Sequence, residues 1–145
     1  MDSIKKLYRI GTGPSSSHTM APERAAKRFR NRYPDAAGFR VTLYGSLAAT
    51  GKGHLTDHAI KQVLGPEIEI IWKPETELDF HPNAMTFNAM DGSGTAIGSN
   101  TYYSTGGGAL SEGREQASDE KTYTQTTLRD IKKQCREAEM TLYEY

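Results

Sequence analysis

The chain has 145 residues, enough for one domain with one core, and its 18 basic residues balance 18 acidic ones. With no long basic run, nothing favours a nucleic acid or an anionic membrane as partner, and no apolar run approaches membrane-spanning length. One cysteine, Cys135, permits no internal disulfide and cannot by itself hold a metal or cluster; with an amino-terminus too polar for a signal peptide, it points to the reducing cytoplasm.

In chain order, residues 4–10 form a short strand or turn that leads into Gly11-Thr12-Gly13-Pro14-Ser15-Ser16-Ser17-His18-Thr19. Residues 20–33 follow as a helix, with Ala21, Ala25, Phe29 and Tyr33 at near-helical spacing, Pro22 in the first turn and Pro34 as the stop. Hydroxyls and an imidazole therefore gather at a helix N-terminus, where free N–H groups favour an anion such as a carboxylate or phosphate. A plain helix cap needs only one of those hydroxyls, and both readings stay open.

The alternation of Val41 and Leu43 with Arg40, Thr42 and Tyr44 predicts a strand over 39–45. A glycine-bracketed loop, 45–53, follows it. A helix over 56–64 places Ala59, Ile60 and Val63 inward and ends at Gly65-Pro66. Strands are expected at 67–72, 86–90 and 95–104, the last two joined by the turn Asp91-Gly92-Ser93-Gly94. Residues 111–126 read as a polar linker. A final helix spans 127–145, opened by a capping box of Thr127 and Asp130 and striped by Leu128, Ile131, Cys135, Ala138 and Leu142. Cys135 fits that stripe as a small core hydrophobe. The expected fold is a two-layer α+β sandwich in the order α-β-α-β-β-β, with a mixed or antiparallel four-stranded sheet and a trailing helix.

Three familiar motifs fail on spacing. Gly11-Thr12-Gly13 lacks the third glycine of a dinucleotide fingerprint, where Ser16 stands. Gly45 to Gly51 is one residue too long for a phosphate loop, and Gly53 occupies the magnesium-binding position. His54 and His58 are four apart, but Leu55 stands where a zinc protease needs glutamate. What survives is a set of polar loop residues: Ser15, Ser16, Ser17, His18, Lys52, His54, Asp57, His81, Asn83, Tyr102, Tyr103 and Ser104. Histidines beside Gly or Pro turns suit acid–base work near neutral pH, so the residues alone reach a small anionic ligand with proton transfer, and stop there.

Gly13-Pro14-Ser15-Ser16-Ser17-His18-Thr19, Tyr44-Gly45-Ser46-Leu47, Thr50-Gly51-Lys52-Gly53-His54 with Thr56-Asp57, His81-Pro82-Asn83, and Tyr102-Tyr103-Ser104 with Gly106-Gly107-Gly108 occur in that order. Together they resemble the beta domain of the bacterial iron–sulfur-dependent L-serine dehydratases, over residues 1–110. The resemblance implies conversion of L-serine to pyruvate and ammonia. It implies a [4Fe-4S] cluster ligated by cysteines of a separate alpha (catalytic) domain, the expected partner, in a homo-oligomeric enzyme. It also implies a fold similar to the allosteric substrate-binding domain of phosphoglycerate dehydrogenase, with 127–145 leading to or docking on the catalytic domain. Under it, His54 is the first choice for proton transfer, His18 the second, and His81 binds or positions substrate. Ser15, Ser16, Ser17 and Thr19, with Lys52 and Asn83, are the substrate-binding candidates, the hydroxyls either holding the carboxylate or ordering the turn. Ala21 and Ala84 depart from the family pattern, which has glycine there, and 64–77 is shorter. A serine-binding regulatory domain without chemistry of its own is the competing expectation.

Overall fold

The computed structural model describes residues 10–113 and 127–144, which belong to two separate compact units. The candidate strand at 4–10 lies almost wholly outside the described residues, as does most of the expected linker, from 114 to 126.

In the larger unit, five strands form one mixed sheet in the order β2-β1-β3-β4-β5. They are β1 (Gly38–Tyr44), β2 (Glu69–Lys73), β3 (Ala84–Met90), β4 (Ala96–Gly106) and β5 (Ala109–Ser111). β1 runs parallel to β2 and antiparallel to β3, and β3, β4 and β5 continue antiparallel. The helices are α1 (Ala21–Arg32), α2 (Gly45–Thr50) and α3 (Thr56–Leu64).

Period-two patterning produces the core. Val41 and Leu43 of β1, Met85, Phe87 and Ala89 of β3 and Tyr102 of β4 are fully buried, joined by Ala25, Ala26 and Phe29 of α1 and Ile60 of α3. Phe29 meets Phe87 at 5.5 Å between ring centroids, and Phe87 meets Tyr102 edge-on at 5.6 Å. The residues between them point to the opposite face. There Arg40 pairs with Glu69, and the Thr86 and Thr101 hydroxyls bond at 2.8 Å. The turn from β3 to β4 is held by the Asp91 carboxylate, which accepts from the Ser93 and Thr95 N–H groups and the Ser93 hydroxyl; those bonds keep it below the usual aspartate range.

The α+β class matches the expectation, but the sheet has five strands, not four. The added strand is β5, a three-residue piece reached through Gly106-Gly107-Gly108, each with positive φ. Too short to show a period, it also takes in Ser111, the first residue of the expected linker. The second difference is α2: Gly45 to Thr50 is helical where a loop was expected. Leu47 and Ala48 turn inward there, too few positions to establish a helical period.

In the smaller unit, α4 (Leu128–Glu137) opens as expected, the Thr127 hydroxyl accepting the Asp130 N–H at 3.2 Å. It ends at Glu137 instead of running on to 145. Glu139 takes a left-handed φ of 52°, the Met140 N–H bonds to the Cys135 carbonyl at 2.9 Å, and the Glu139 N–H bonds to that of Arg136 at 3.3 Å. This is a Schellman ending with glutamate in glycine's usual place, which hid it in the sequence. Ile131 and Cys135 are buried as the stripe required, but Leu128, in the first turn, is exposed, and Leu142 lies beyond the helix and is exposed too.

Gly51 sets the approach of α2 to β2. A Cβ there would lie 2.2 Å from the Leu47 carbonyl oxygen and 2.7 Å from Trp72 Cζ3. At Gly53 the nearest such atom, the Thr50 carbonyl oxygen, is an ordinary 3.5 Å away. Gly51→Ala is therefore expected to cost about 2 kcal/mol or more in a urea melt. Gly53→Ala should stay within about 0.5 kcal/mol of wild type.

Candidate active site

The serine-rich segment folds as a π-helical turn, Ser16–Met20, that runs directly into α1. The Met20 N–H reaches the Ser15 carbonyl five residues back, at 3.1 Å. Ser15 caps the turn, its Oγ accepting the His18 N–H at 3.1 Å, and it shares a 3.4 Å contact with Ser17 Oγ. Ser16 is exposed. Ala21 begins α1 with φ of −66°, and Ala84 sits in β3, so neither departure from the family's glycine needs a left-handed backbone.

The second segment comes from the end of β1. Gly45 has φ of 48°, and a Cβ there would lie 2.5 Å from the Pro82 carbonyl oxygen. Its N–H donates to the Thr76 carbonyl at 2.8 Å, so the connection carrying His81, Pro82 and Asn83 is held against the start of α2. Beyond α2 the chain turns through Gly51 to Leu55. Leu55 has a left-handed φ of 58°, a costly conformation for a residue with a Cβ.

Two threonines clasp these segments together. The Thr19 hydroxyl donates to the His54 carbonyl at 2.9 Å, and the Thr56 hydroxyl donates to the His18 carbonyl at 2.6 Å. Both threonines are buried. The clasp sets the two imidazoles face to face, with centroids 4.8 Å apart and planes tilted by 35°. Of the residues singled out in the sequence, His18, His54, Ser15, Ser17 and Thr19 are brought together. Thr56 and Ser46 belong with them and were not on that list. Both lie in motifs that carry the family resemblance, Tyr44-Gly45-Ser46-Leu47 and Thr56-Asp57, which was the available signal for them.

Hydrogen-bond partners fix the tautomers. His18 Nε2 lies 3.3 Å from both the Ser46 carbonyl and its hydroxyl, so Nε2 carries the proton donated to that carbonyl. Its Nδ1 accepts the Ser17 hydroxyl at 2.9 Å. His81 Nδ1 accepts the Asn83 N–H at 3.1 Å, which leaves Nε2–H as a donor. His54 is the reverse: its Nδ1–H donates to the Thr50 carbonyl at 3.0 Å, so its lone pair is on Nε2. Of these three histidines, only His54 presents a ring lone pair with no partner among the described residues. Burial lowers the affinity of His18 for a proton; the Ser46 carbonyl partly offsets this and the neighbouring His54 charge adds to it.

The other candidates have different surroundings. Lys52 holds its ammonium 5.6 Å from the centroid of the Trp72 ring. Tyr102 is a core residue, and Tyr103 packs against Phe80 at 4.7 Å. Asn83 Oδ1, Ser104 Oγ and Asp57 Oδ1 are buried with no hydrogen-bond partner among the described residues. Among those residues no group of three or more His, Cys, Asp or Glu side chains is arranged to hold a metal ion. A cleft of about 500 Å³ lies at the other end of β1, lined by Arg30, Phe39, Arg40, Leu64 and Glu69 among others, away from the histidines. No described helix is long and apolar enough to cross a membrane.

The fold is a small α+β domain whose mixed sheet carries a clasped histidine pair beyond the carboxyl end of β1. The sequence model of the serine dehydratase beta chain matches residues 3–67 and 61–115, and the chain belongs to that family. It is 31% identical to an L-serine dehydratase of Haemophilus influenzae over an alignment covering 93% of this chain and 40% of that protein. It is 36% identical to one from Mycobacterium tuberculosis (74% and 32%) and 34% identical to L-serine dehydratase TdcG of Escherichia coli (77% and 34%). The chain thus spans 32% to 40% of the length of these curated relatives. The two matched stretches overlap at residues 61–67, the end of α3 and the start of its connection to β2.

The buried His18 gives a pH signature. Its folded-state proton affinity is depressed, so the unfolded chain binds the proton first as pH falls. Stability should be full above the ordinary imidazole value of about 6.5 and decline as pH drops through it. Melting curves between about pH 8 and pH 5.5 should show that slope, and His18→Gln should flatten it. An unchanged slope in the variant would assign the dependence elsewhere.

Proposed function

We propose that this chain is the beta part of an L-serine dehydratase that converts L-serine to pyruvate and ammonia in company with an alpha, catalytic part. Family membership supports the enzyme class. The observation that carries the role of this chain is His54 Nε2, the free lone pair of the clasped pair. In elimination of water from serine, a base takes the Cα proton while the β-hydroxyl leaves; the aminoacrylate formed then hydrolyses to pyruvate and ammonia. His54 Nε2 is that base. His18, with both ring nitrogens engaged, holds His54 in place, and His81 Nε2–H is a donor for a substrate oxygen. Ser15, Ser17 and Thr19 order the turn with their hydroxyls, while the exposed Ser16 and Lys52 remain for the substrate carboxylate.

The family resemblance implies a [4Fe-4S] cluster, and the residues of this chain do not fit it. Such a cluster takes several thiolates, and Cys135 is the one cysteine in the sequence. The cluster's ligands, and activation of the leaving hydroxyl, are assigned to the alpha part.

The test is anaerobic co-expression with a cysteine-bearing alpha partner and an assay of serine-dependent pyruvate. Activity is expected only with both parts present. His54→Ala in that complex should lower kcat by at least about a hundredfold while melting near wild type, and a kcat close to wild type would remove His54 from the chemistry. A verified complex that makes no pyruvate, while calorimetry shows serine binding to this chain, would instead support a regulatory serine-binding domain similar to that of phosphoglycerate dehydrogenase.

A further inference from the structure

The two edges of the sheet differ. β5 is three residues long and follows a register shift beside Gly106, features that discourage further strand addition. β2 is Glu69-Ile70-Ile71-Trp72-Lys73, with three large β-forming residues in a row, all half-buried. It has β1 on one side only, and among the described residues no hydrogen bond reaches Ile70, Ile71 or Trp72 from the other side. Only Gly65, Pro66, Glu67 and Ile68 join α3 to β2, too few to fold back across that edge.

We propose that the outer edge of β2 pairs antiparallel with β2 of a second copy of this chain, about a two-fold axis at Ile71. The sequence is self-complementary in that register. Each Glu69 faces the partner's Lys73, each Ile70 faces the partner's Trp72, and the two Ile71 residues face each other. Opposite charges directly across an antiparallel pair are favourable, and each would occur twice by symmetry. Glu69 and Lys73 are exposed, and Lys73 has no ion-pair partner among the described residues. Glu69 already pairs with Arg40, so it would bridge two cations. Joining the edges forms one ten-stranded sheet and covers the flank of Trp72. That ring packs against Gly51 and carries the Lys52 ammonium, so the pairing steadies the turn that holds His54.

The test needs no activity, so its outcome is independent of the proposed chemistry. Sedimentation velocity of the full chain from about 1 to about 100 µM should show a reversible dimer, and amide exchange at residues 70–72 should slow as concentration rises. Lys73→Glu, on the exposed surface, should weaken the dimer at least about tenfold without changing the melt of the dilute monomer. The swap Glu69→Lys with Lys73→Glu should restore it to within about threefold. A chain monomeric throughout overturns the proposal. So does a dimer indifferent to Lys73→Glu, or one that the swap fails to rescue. A monomeric chain whose binding to the alpha part is lost in Lys73→Glu would give the edge to that part and equally overturn self-pairing.

Discussion

The site depends on the threonine clasp. Thr19 holds the carbonyl of His54, and Thr56 holds the carbonyl of His18, so each backbone that carries an imidazole is tied to the other segment. Both hydroxyls are buried, where a hydrogen bond to a carbonyl is strong and an unmade one is costly. Without the clasp, the serine turn and the Gly51 to Leu55 turn are two loops on a common sheet. With it, two imidazoles are held in ring contact and Leu55 is held in a left-handed conformation it would otherwise leave.

The clasp in turn relies on close backbone packing. Gly45 lets α2 start against the Pro82 carbonyl, and Gly51 lets its end rest on Trp72. Ser46 is thereby placed to hold His18 Nε2, and the Thr50 carbonyl to hold His54 Nδ1. These two carbonyls choose opposite tautomers for neighbouring rings. The roles proposed for the two rings rest on that choice: a ring nitrogen already accepting a hydrogen bond is a poor base, and one left free is available. The hydroxyl-rich turn is thus largely the support of the histidine pair.

One polypeptide of this family accounts for well under half the length of its curated relatives. The 500 Å³ cleft lies at the opposite end of β1 from the histidines. The core aromatics of the sheet fix β1, β3 and β4, and the loops at the carboxyl end of β1 inherit that rigidity.

Local pattern was enough to read α3, whose bounds at Thr56 and Leu64 follow from its amphipathic period and from Gly65-Pro66. It was enough for β1, for the face shared by Phe87 and Ala89, and for the Asp91 turn, because alternation and turn chemistry act over a few residues. It was not enough for β5, which exists only because β4 offers an edge, nor for α2, which is stabilised by where Leu47 and Ala48 are buried. The same division runs through the site. The sequence alone determined which residue types were present, His18, His54, His81 and the serines among loops rich in glycine. Only the tertiary structure decided that His18 and His54 meet, that Thr56 joins them from 38 positions away, and which ring nitrogen is free. Tautomer and partner are set by carbonyls brought close by packing, and spacing along a chain carries no information about them.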